Sequence, residues 1–403
     1  MTPMKWFYGY LKKYRLPMLF GLLLTTVLSF LAIVNPIISG KIVDDVIRGG
    51  KKELLPYLLL IILGVTITRG LLRYFSQVIY EKCSQGVLYT MRDTVYRKLL
   101  QEDFAFYNKN RTGDLMSRQT GDMDAIRHFV AYVIYTIYEN FLLLMFAIIM
   151  MFTVNVKLAI AMILVLPFTA AATLRQSKDV KPAFGRIRQQ FSSLNTAVQE
   201  NISGNRVVKA FAKEDFEIEK FNKENDAYKE AELSASKIWR RYVPIFEFLS
   251  SVLTVILLLF GGYLVIRGEM SLGNLVTING YLWMLTNPLR MAGWWVNDVQ
   301  RFITSVEKIH ATYSAEPDVK KPAKAIARKH MDGTVEFKNV SYQADDEDII
   351  QNISFKVEKG QTVGIIGSTG SGKSTIMNLL CRFYDVTEGE VLIDGINVKD
   401  LDL

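Results

Sequence analysis

The sequence has little charge and almost no cysteine. Only 22% of its 403 residues are charged while half are hydrophobic, which leaves too few charges to cover the surface of an ordinary soluble protein. Two cysteines, Cys83 and Cys381, are too few for a disulfide framework, so each is interpreted as a packed thiol. The formal net charge is +8, but no basic stripe with interleaved aromatic residues is present. This pattern argues against nucleic acid as a partner and favours a membrane surface.

Long apolar runs dominate the chain as far as about residue 303. Six of them reach the roughly 20 residues that a helix needs to cross a bilayer. These runs are 16–38, 54–80, 129–154, 156–174, 244–266 and 272–294. The first follows a basic segment and is too long for the core of a signal peptide. We therefore predict an uncleaved first span and a bundle of six transmembrane helices.

The connections between the runs are alternately short and long. Residues 81–128 and 175–243 are polar and helix-prone, with few proline or glycine breaks, so the spanning helices are expected to continue beyond the bilayer. Both segments are rich in Lys and Arg, which places them, the N-terminus and the soluble part in the cytoplasm. Residues 41–53 oppose this orientation with four basic residues outside, partly offset by three acidic ones.

The composition changes after residue 314. Residues 315–333 contain two prolines among scattered Lys, Arg and Ala, a composition typical of a linker. Apolar residues then alternate with polar ones in 335–342 and 353–357, which predicts half-buried strands. The short apolar run 362–366 predicts a buried central strand. The predicted organisation is a transmembrane domain at 1–314, a linker at 315–333 and a partial α/β domain at 334–403.

A glycine-rich loop follows the predicted central strand and precedes a helical pattern at 376–383. Its sequence fits the complete P-loop pattern, in which glycines let backbone amides curl around phosphate at a helix N-terminus. Lys373 is predicted to reach the β- and γ-phosphates, and Ser374 to place its hydroxyl on Mg²⁺. The candidate phosphate-binding residues are Gly367, Ser368, Thr369, Gly370, Ser371, Gly372, Lys373, Ser374 and Thr375.

The segments around this loop resemble the cassette of the ATP-binding cassette (ABC) transporter superfamily. Arg-Phe-Tyr-Asp at 382–385 and Ile-Asp-Gly at 393–395 resemble the stretch after the loop. Val386 stands where many members have Pro, which is a minor departure. The segment 335–342 resembles the first strand of the cassette.

Two motifs between the apolar runs resemble the cytoplasmic loops of exporter-type members. Residues 104–124 resemble the first loop and residues 200–211 the second. The resemblance implies that each long segment carries a short coupling helix that rests on a cassette. It places Gly113, Asp114, Arg118 and Asp122 in the first coupling region, and Gly204, Arg206 and Phe211 in the second.

The resemblance implies a half-transporter that works as a homo- or heterodimer and uses ATP with Mg²⁺. ATP would draw two cassettes together and turn the bundle outward, and hydrolysis would reset it. An aromatic residue stacks on adenine in this family. Counting back from Glu358-Lys-Gly360 assigns that role to Tyr342, whereas counting forward from Val340 assigns the position to Ala344, which suggests a shortened loop.

Several motifs of the complete cassette are absent from the sequence. It ends at Leu403 without the glutamine loop, the LSGGQ signature, the Walker B aspartate with its catalytic glutamate, or the switch histidine. We therefore expect a truncated chain that binds phosphate but lacks the groups that position water and hold the catalytic magnesium.

Charged residues interrupt several of the apolar runs. Glu139 and Glu247 lie in the third and fifth runs, Arg69 and Arg73 in the second, and Arg290 in the sixth. Such groups are costly in a bilayer and often functional. Two alternatives remain open: helix pairing or solvation at the cytoplasmic ends, or a carboxylate that faces a cavity and attracts cationic substrates.

The function predicted from these patterns is ATP-driven export of amphipathic, drug-like or lipid-like compounds across the cytoplasmic membrane. A peptide exporter, a siderophore importer or a non-transporting regulatory subunit of the same fold stays open. A membrane-tethered P-loop kinase or GTPase is disfavoured because it would lack the two coupling motifs. The expected partners are a second half-transporter, membrane lipid and an amphipathic small molecule, with no nucleic acid.

Overall fold

A computed structural model of the protein describes residues 2–322, 324–328, 331–344 and 347–402, so Ala323, Lys329 and His330 of the predicted linker lie outside the described residues. In chain order the α-helices are α1 (Pro3–Lys12), α2 (Arg15–Lys41), α3 (Leu54–Leu99), α4 (Phe104–Lys109), α5 (Thr112–Ser117), α6 (Met123–His128), α7 (Ile134–Val154), α8 (Val156–Ile163), α9 (Leu166–Ala210), α10 (Glu214–Ile256), α11 (Gly262–Ile266), α12 (Leu272–Tyr313) and α13 (Lys373–Leu380). The strands are β1 (Val335–Ala344), β2 (Glu347–Val357), β3 (Glu388–Ile393) and β4 (Ile396–Asn397). π-Helical turns continue the helices at Ile42–Arg48, Arg118–Asp122, Phe129–Val133 and Leu257–Gly261.

The long polar connections are largely helical, as the sequence predicts. Helices α3, α9, α10 and α12 contain 46, 45, 43 and 42 residues. A bilayer crossing takes only about 20 residues, so each helix is about twice as long as a span. The apolar and polar parts form single helices because the sequence offers few residues that would break the hydrogen-bond ladder between them.

Five helical stretches are long and apolar enough to cross a membrane. They are Arg15–Arg48, Leu54–Leu99, Thr112–Val154, Val156–Ala210 and Glu214–Ile266, and they contain the first five predicted spans. The sixth predicted span, 272–294, lies within α12 but is not among these stretches of the described chain. Asn274, Asn279 and Asn287 dilute its apolar run. The helical membrane bundle is confirmed, and the sixth span stays a prediction.

A break divides the fourth predicted span. Helix α8 ends at Ile163 and α9 begins at Leu166, with Pro167 in its first turn. Proline has no N–H and its ring clashes with the carbonyl four residues earlier, so it starts a helix more readily than it continues one. The span is therefore two helices rather than the single helix predicted.

Two compact units divide the described residues. One contains Met1–Tyr10, Val87–Ile126 and Ile303–Leu403, and the other contains Leu11–Gly86 and Arg127–Phe302. Most of the first long polar segment, residues 87–126, thus belongs to the same unit as residues 334–403 of the predicted cassette, although more than 200 residues separate them in the chain. The apolar helices form the second unit.

The core of the second unit is built from α2, α7, α8, α10 and α12. Its fully buried side chains include Ala147, Met151, Leu158, Ala159, Met162, Leu253, Leu257, Ile278, Tyr281 and Leu285. Large apolar residues on the other faces stay exposed, among them Leu60, Leu63 and Leu71 of α3. In a bilayer, lipid chains solvate such side chains as well as a protein core would.

Helices α2 and α12 approach each other at glycines. A Cβ atom on Gly273 would lie 2.2 Å from the carbonyl oxygen of Gly40, and one on Gly280 would lie 2.7 Å from Cβ of Pro36. Small residues allow helix backbones to pack this closely in membranes. At the same end of α12, Asp44 Oδ1 accepts a hydrogen bond from the Gly273 N–H at 2.8 Å, which satisfies one of the free donors of the first turn.

The cassette residues form an antiparallel sheet in the order β2-β1-β3-β4. Strands β1 and β2 confirm the strands predicted at 335–342 and 353–357. The buried core of this sheet and α13 comprises Phe337, Val340, Ile350, Leu379, Val386, Val391 and Val398. Val386, the departure from the family pattern, therefore has a packing role as an apolar core residue.

The predicted buried central strand at 362–366 is wrong. These residues form no regular structure, and Ile366 is 98% exposed. A central strand of this kind needs hydrogen-bonded neighbours on both sides, and no strand of the described residues pairs with it. The segment is apolar, but the sheet of the described residues contains no strands that would bury it.

The two cysteines differ in environment. Cys83 is only 3% exposed, which confirms the predicted packed thiol. Cys381 is exposed because it follows the last turn of α13, where the chain leaves the helix. The prediction of a packed thiol at Cys381 is wrong.

Candidate functional site

The glycine-rich loop curls tightly before α13. Gly370 and Gly372 have φ angles of +86° and +81°, which residues with a Cβ rarely adopt. A Cβ atom on Gly367 would lie 2.5 Å from Ser371 Oγ. The loop therefore keeps a hollow that side chains would fill, as a phosphate cradle requires.

Lys373 lies in the first turn of α13 and reaches back over this loop. Its Nζ donates hydrogen bonds to the carbonyl oxygens of Ser368 at 2.6 Å and Gly367 at 3.0 Å. Ser374, the next residue, is exposed. The positive end of the helix and the ammonium group thus converge on the loop, and the arrangement fits a nucleotide phosphate.

The residues present also fit a magnesium ion held by the nucleotide. Among the described residues, no three His, Cys, Asp or Glu side chains are grouped to bind a metal. Mg²⁺ is often bound through few protein ligands together with substrate phosphates. At this loop it would depend on the Ser374 hydroxyl and the phosphates.

Helix α13 begins and ends three residues earlier than the predicted 376–383. It starts directly after Gly372, whose left-handed conformation ends the loop. It stops at Leu380 because Arg382 also has a positive φ, +53°, which a right-handed helix does not contain. Lys373, Ser374 and Thr375 are therefore helical residues.

Tyr342 lies in β1, half-buried, and pairs with Ile350 of β2. A Cβ atom on Gly372 would lie 3.2 Å from Ile350 Cγ1, so the strand partner of Tyr342 packs against the last glycine of the loop. The alternative position, Ala344, ends β1, and Asp345 and Asp346 after it lie outside the described residues. Tyr342 stays the predicted adenine-stacking residue.

The predicted residues of the first coupling region fall into two groups. Gly113 and Asp114 lie in α5 and are exposed. Arg118 donates a hydrogen bond from Nη1 to Thr312 Oγ1 at 2.6 Å, and Asp122 Oδ1 accepts one from Ser305 Oγ at 2.9 Å. Both partners belong to the last turns of α12, so Arg118 and Asp122 anchor the region to that helix.

Two other residues make the contact with the cassette. The Phe104 ring in α4 stacks on Phe383, with ring centroids 4.3 Å apart. Asn108 Nδ2, one turn later, donates to the hydroxyl of Tyr384 at 2.9 Å. The Tyr384 ring lies 5.4 Å from that of Tyr342. A short series of side chains thus joins the first long polar segment to the predicted adenine residue.

Asp103 was not predicted and holds this contact in place. Its Oδ1 accepts from the Phe106 N–H at 2.9 Å and caps α4. Its Oδ2 accepts from the Val319 N–H at 3.1 Å in the linker. The position of Asp103 just before a short helix was a sequence signal for a cap, but its linker contact was not predictable from spacing.

The second coupling region lies at the turn between α9 and α10. Gly204 and Arg206 are within α9, and Phe211 directly follows this helix and is 71% exposed. The expected separate coupling helix is absent from the described residues between Ala210 and Glu214. The two long helices meet directly because both sequences continue helical up to the turn.

The charged residues in the spans have different environments. Glu139 forms an ion pair with Arg73 and is 12% exposed. Such pairing lowers the cost of a charge in the bilayer, which is about 2.5–3.5 kcal/mol at a span centre. Glu247 and Arg290 are exposed. The pairing alternative therefore applies to Glu139, and its carboxylate does not stand alone as a cation site.

Comparison with known proteins agrees with these features. A family model described as "ABC transporter transmembrane region" matches residues 18–289, and one described as "ABC transporter" matches residues 350–403. An uncharacterised ABC transporter ATP-binding protein of Bacillus subtilis (YknU) is 34% identical over 97% of this chain and 67% of its own length.

Two further relatives have more specific names. A probable multidrug resistance ABC transporter of Bacillus subtilis (YheI) is 31% identical over 99% of this chain and 68% of its own length. An ATP-dependent lipid A-core flippase of Syntrophus aciditrophicus is 29% identical over 94% of this chain and 62% of its own length. The chain thus spans about two thirds of these relatives. It belongs to the ABC transporter family and combines the transmembrane region with part of the ATP-binding region.

Proposed function

We propose that the chain is one half of a dimeric exporter that moves amphipathic, drug-like or lipid-like compounds across the cytoplasmic membrane at the expense of ATP. The observation that carries this proposal is the P-loop in one compact unit with the first cytoplasmic segment. Phe104 and Asn108 contact cassette residues there. A conformational change of the cassette at the nucleotide would therefore displace α4 through these two contacts.

The P-loop binds the phosphates in this proposal. The loop amides and the N-terminus of α13 supply partial positive charge, and Lys373 supplies a full charge over the loop. The Ser374 hydroxyl would hold the Mg²⁺ that accompanies ATP, and this ion would supply positive charge against the phosphates. Tyr342 offers its ring to the adenine.

Conformational coupling runs through the first cytoplasmic segment. Asp103 fixes the start of α4, Phe104 and Asn108 contact the cassette, and Arg118 and Asp122 tie the following residues to α12. A displacement of the cassette would therefore pull on α12, one of the long helices. Phe211 at the second turn is an exposed apolar residue that suits the cassette of a second half-transporter.

Orientation follows from charge in the same proposal. The long helical segments and the P-loop lie in the cytoplasm, since the segments rich in Lys and Arg stay on that side. The exposed apolar faces of the spans contact membrane lipid. The names of the multidrug and flippase relatives support amphipathic cargo.

The test is Lys373→Ala in the complete transporter, whose cassette includes the motifs that this sequence lacks, in membrane vesicles. ATP-dependent uptake of an amphipathic dye should fall to the level without ATP, because the phosphates lose their only side-chain cation in the described loop. The control is Lys356→Ala, an exposed lysine of β2 that pairs with Glu358. Full transport by Lys373→Ala would refute the role of the loop. ATP binding without any substrate movement would favour the regulatory alternative.

A further inference from the structure

A cavity of about 380 Å³ lies among α2, α3 and α12 in the second unit. Its size is in the range of small-molecule sites. Apolar side chains line one part of it, including Val276, Trp283 and Met284, and polar side chains line another, including Asn35 and Arg69. Asn35 and Arg69 both lie about four helical turns from the loop at 49–53, well inside their spans.

Two polar atoms of this cavity lack partners. Arg69 Nε and Asn35 Oδ1 are buried, and neither has a hydrogen-bond partner in the described part of the chain. Asn35 uses only its amide nitrogen, which donates to Thr66 Oγ1 at 3.5 Å. Buried polar groups without partners are rare in native proteins, and an unpaired group of a charged side chain is the costliest kind. A ligand with a negative charge and a hydrogen-bond donor would satisfy both atoms, the charge at Arg69 Nε and the donor at Asn35 Oδ1.

The charged side chains near this cavity also favour a negatively charged ligand. Arg69 and Arg73 lie one helical turn apart on α3, and Glu139 is the acidic group that acts electrostatically on Arg69. Since Glu139 already pairs with Arg73, this group of three carries one positive charge in excess. This excess positive charge would repel cationic cargo.

We propose that this cavity binds the head group of an anionic, lipid-like amphiphile. Arg69 pairs with its phosphate or carboxylate, Asn35 Oδ1 accepts from an adjacent hydroxyl, and the tail packs on Trp283 and its apolar neighbours. The proposal rests on the proposed export function and narrows its cargo from amphipathic compounds in general to anionic ones.

Calorimetric titration of the protein in an uncharged maltoside detergent tests the site without ATP. The probes are lysophosphatidylglycerol, which is anionic with hydroxyl donors, an alkylphosphocholine of the same chain length, which has no hydroxyl, dodecyltrimethylammonium, and glycerol 3-phosphate without a tail. We expect lysophosphatidylglycerol to bind at least tenfold more tightly than each of the others. Equal or tighter binding of the cation, or of glycerol 3-phosphate, would overturn the proposal.

Variants separate the site from general effects. Arg69→Gln should weaken lysophosphatidylglycerol binding at least tenfold, and Arg69→Lys should stay within about threefold of the native protein. The same substitution at exposed Arg240 on α10 is the control and should change nothing. Unchanged binding in Arg69→Gln, or an equal loss in Arg240→Gln, would refute the site.

A second variant guards against misfolding of Arg69→Gln. Asn35→Leu should reduce binding of lysophosphatidylglycerol and leave binding of the alkylphosphocholine unaffected, because only the former offers hydroxyl donors. Equal effects on both lipids would contradict the role of Asn35. Since none of these titrations uses ATP, loss of transport in Lys373→Ala with no effect of Arg69→Gln on binding would reject this site and keep the proposed export function.

Discussion

The membrane helices and the cassette residues follow from the sequence to different degrees. Helices α3, α9 and α10 extend over 43 to 46 residues, as the small number of helix-breaking residues predicts. The apolar run 362–366, by contrast, was predicted as a buried strand and is exposed coil. The spanning parts of these helices and the run 362–366 are all clearly apolar in sequence.

The difference lies in where the backbone hydrogen bonds go. A helix satisfies its N–H and C=O groups within the segment, which is why helices span membranes without neighbours. A strand satisfies them only across to another strand. A local pattern therefore specifies α3, but it cannot specify 362–366 unless a partner strand is present.

Hydrogen exchange gives the largest expected effect. Amides of 362–366 should exchange about a thousandfold faster than those of the spanning part of α3, because protection tracks the free energy of local opening and each tenfold corresponds to about 1.4 kcal/mol. Residues 335–337 of β1, which pair on both sides, serve as the protected control of the same unit. Protection of 362–366 equal to that of β1 would mean that the strand forms after all.

Glycine substitution sharpens the difference within the bundle. Gly273→Ala should destabilise the protein by about 1–3 kcal/mol, the usual cost of overpacking, because the new methyl group meets the Gly40 carbonyl. Gly64→Ala in α3, where a Cβ meets nothing within 4 Å, should stabilise by about 0.5–1 kcal/mol through helix propensity. Thermal unfolding in detergent measures both, and shifts of the same sign would contradict the close contact of α2 and α12.

Removal of an aromatic contact tests the junction in the first unit. Phe104→Ala should destabilise the cassette residues by about 1 kcal/mol, since stacked aromatic pairs contribute roughly 0.5–1.5 kcal/mol. Faster exchange of the α4 amides is the readout. Phe216→Ala, an exposed phenylalanine of α10, is the matched control. A loss of protection no greater than in that control would show that the Phe104–Phe383 stack does not hold α4.

Asp394 should give a small effect that depends on pH. Its carboxylate accepts hydrogen bonds from the backbone N–H groups of Thr334, Asp332 and Gly333, and these bonds, first of all that from Thr334, lower the pKa of Asp394. A lowered folded pKa adds stability above the unfolded value of about 3.9, and this stability is lost as the pH falls through the folded pKa.

Asp394→Asn should therefore unfold at a lower temperature than the native protein at pH 7, and the gap should close towards pH 3 and below. Thermal unfolding across this range measures it, with exposed Asp400→Asn as the control. A gap that stays constant with pH would show that the charge on Asp394 is not what ties 332–334 to the turn after β3.

The sequence also predicted the backbone shape of the glycine-rich loop better than the contacts of the coupling residues. Gly370 and Gly372 have the positive φ angles that the predicted phosphate cradle needs, because the glycine pattern itself encodes backbone shape. Arg118 and Asp122, which are predicted to lie in the coupling region, bind α12. Phe104 and Asn108 make the cassette contact instead, because which face of a short helix meets a distant segment depends on packing rather than on spacing.

By itself, the sequence determined the spanning helices, the family and the P-loop, since each depends on residues within one segment. Only the tertiary structure decided that 362–366 is exposed, that Glu139 is paired with Arg73, and that Arg69 and Asn35 face one cavity with unpaired atoms. These features depend on groups far apart in the chain. Their partners are chosen when the helices pack, so no local pattern could reveal them.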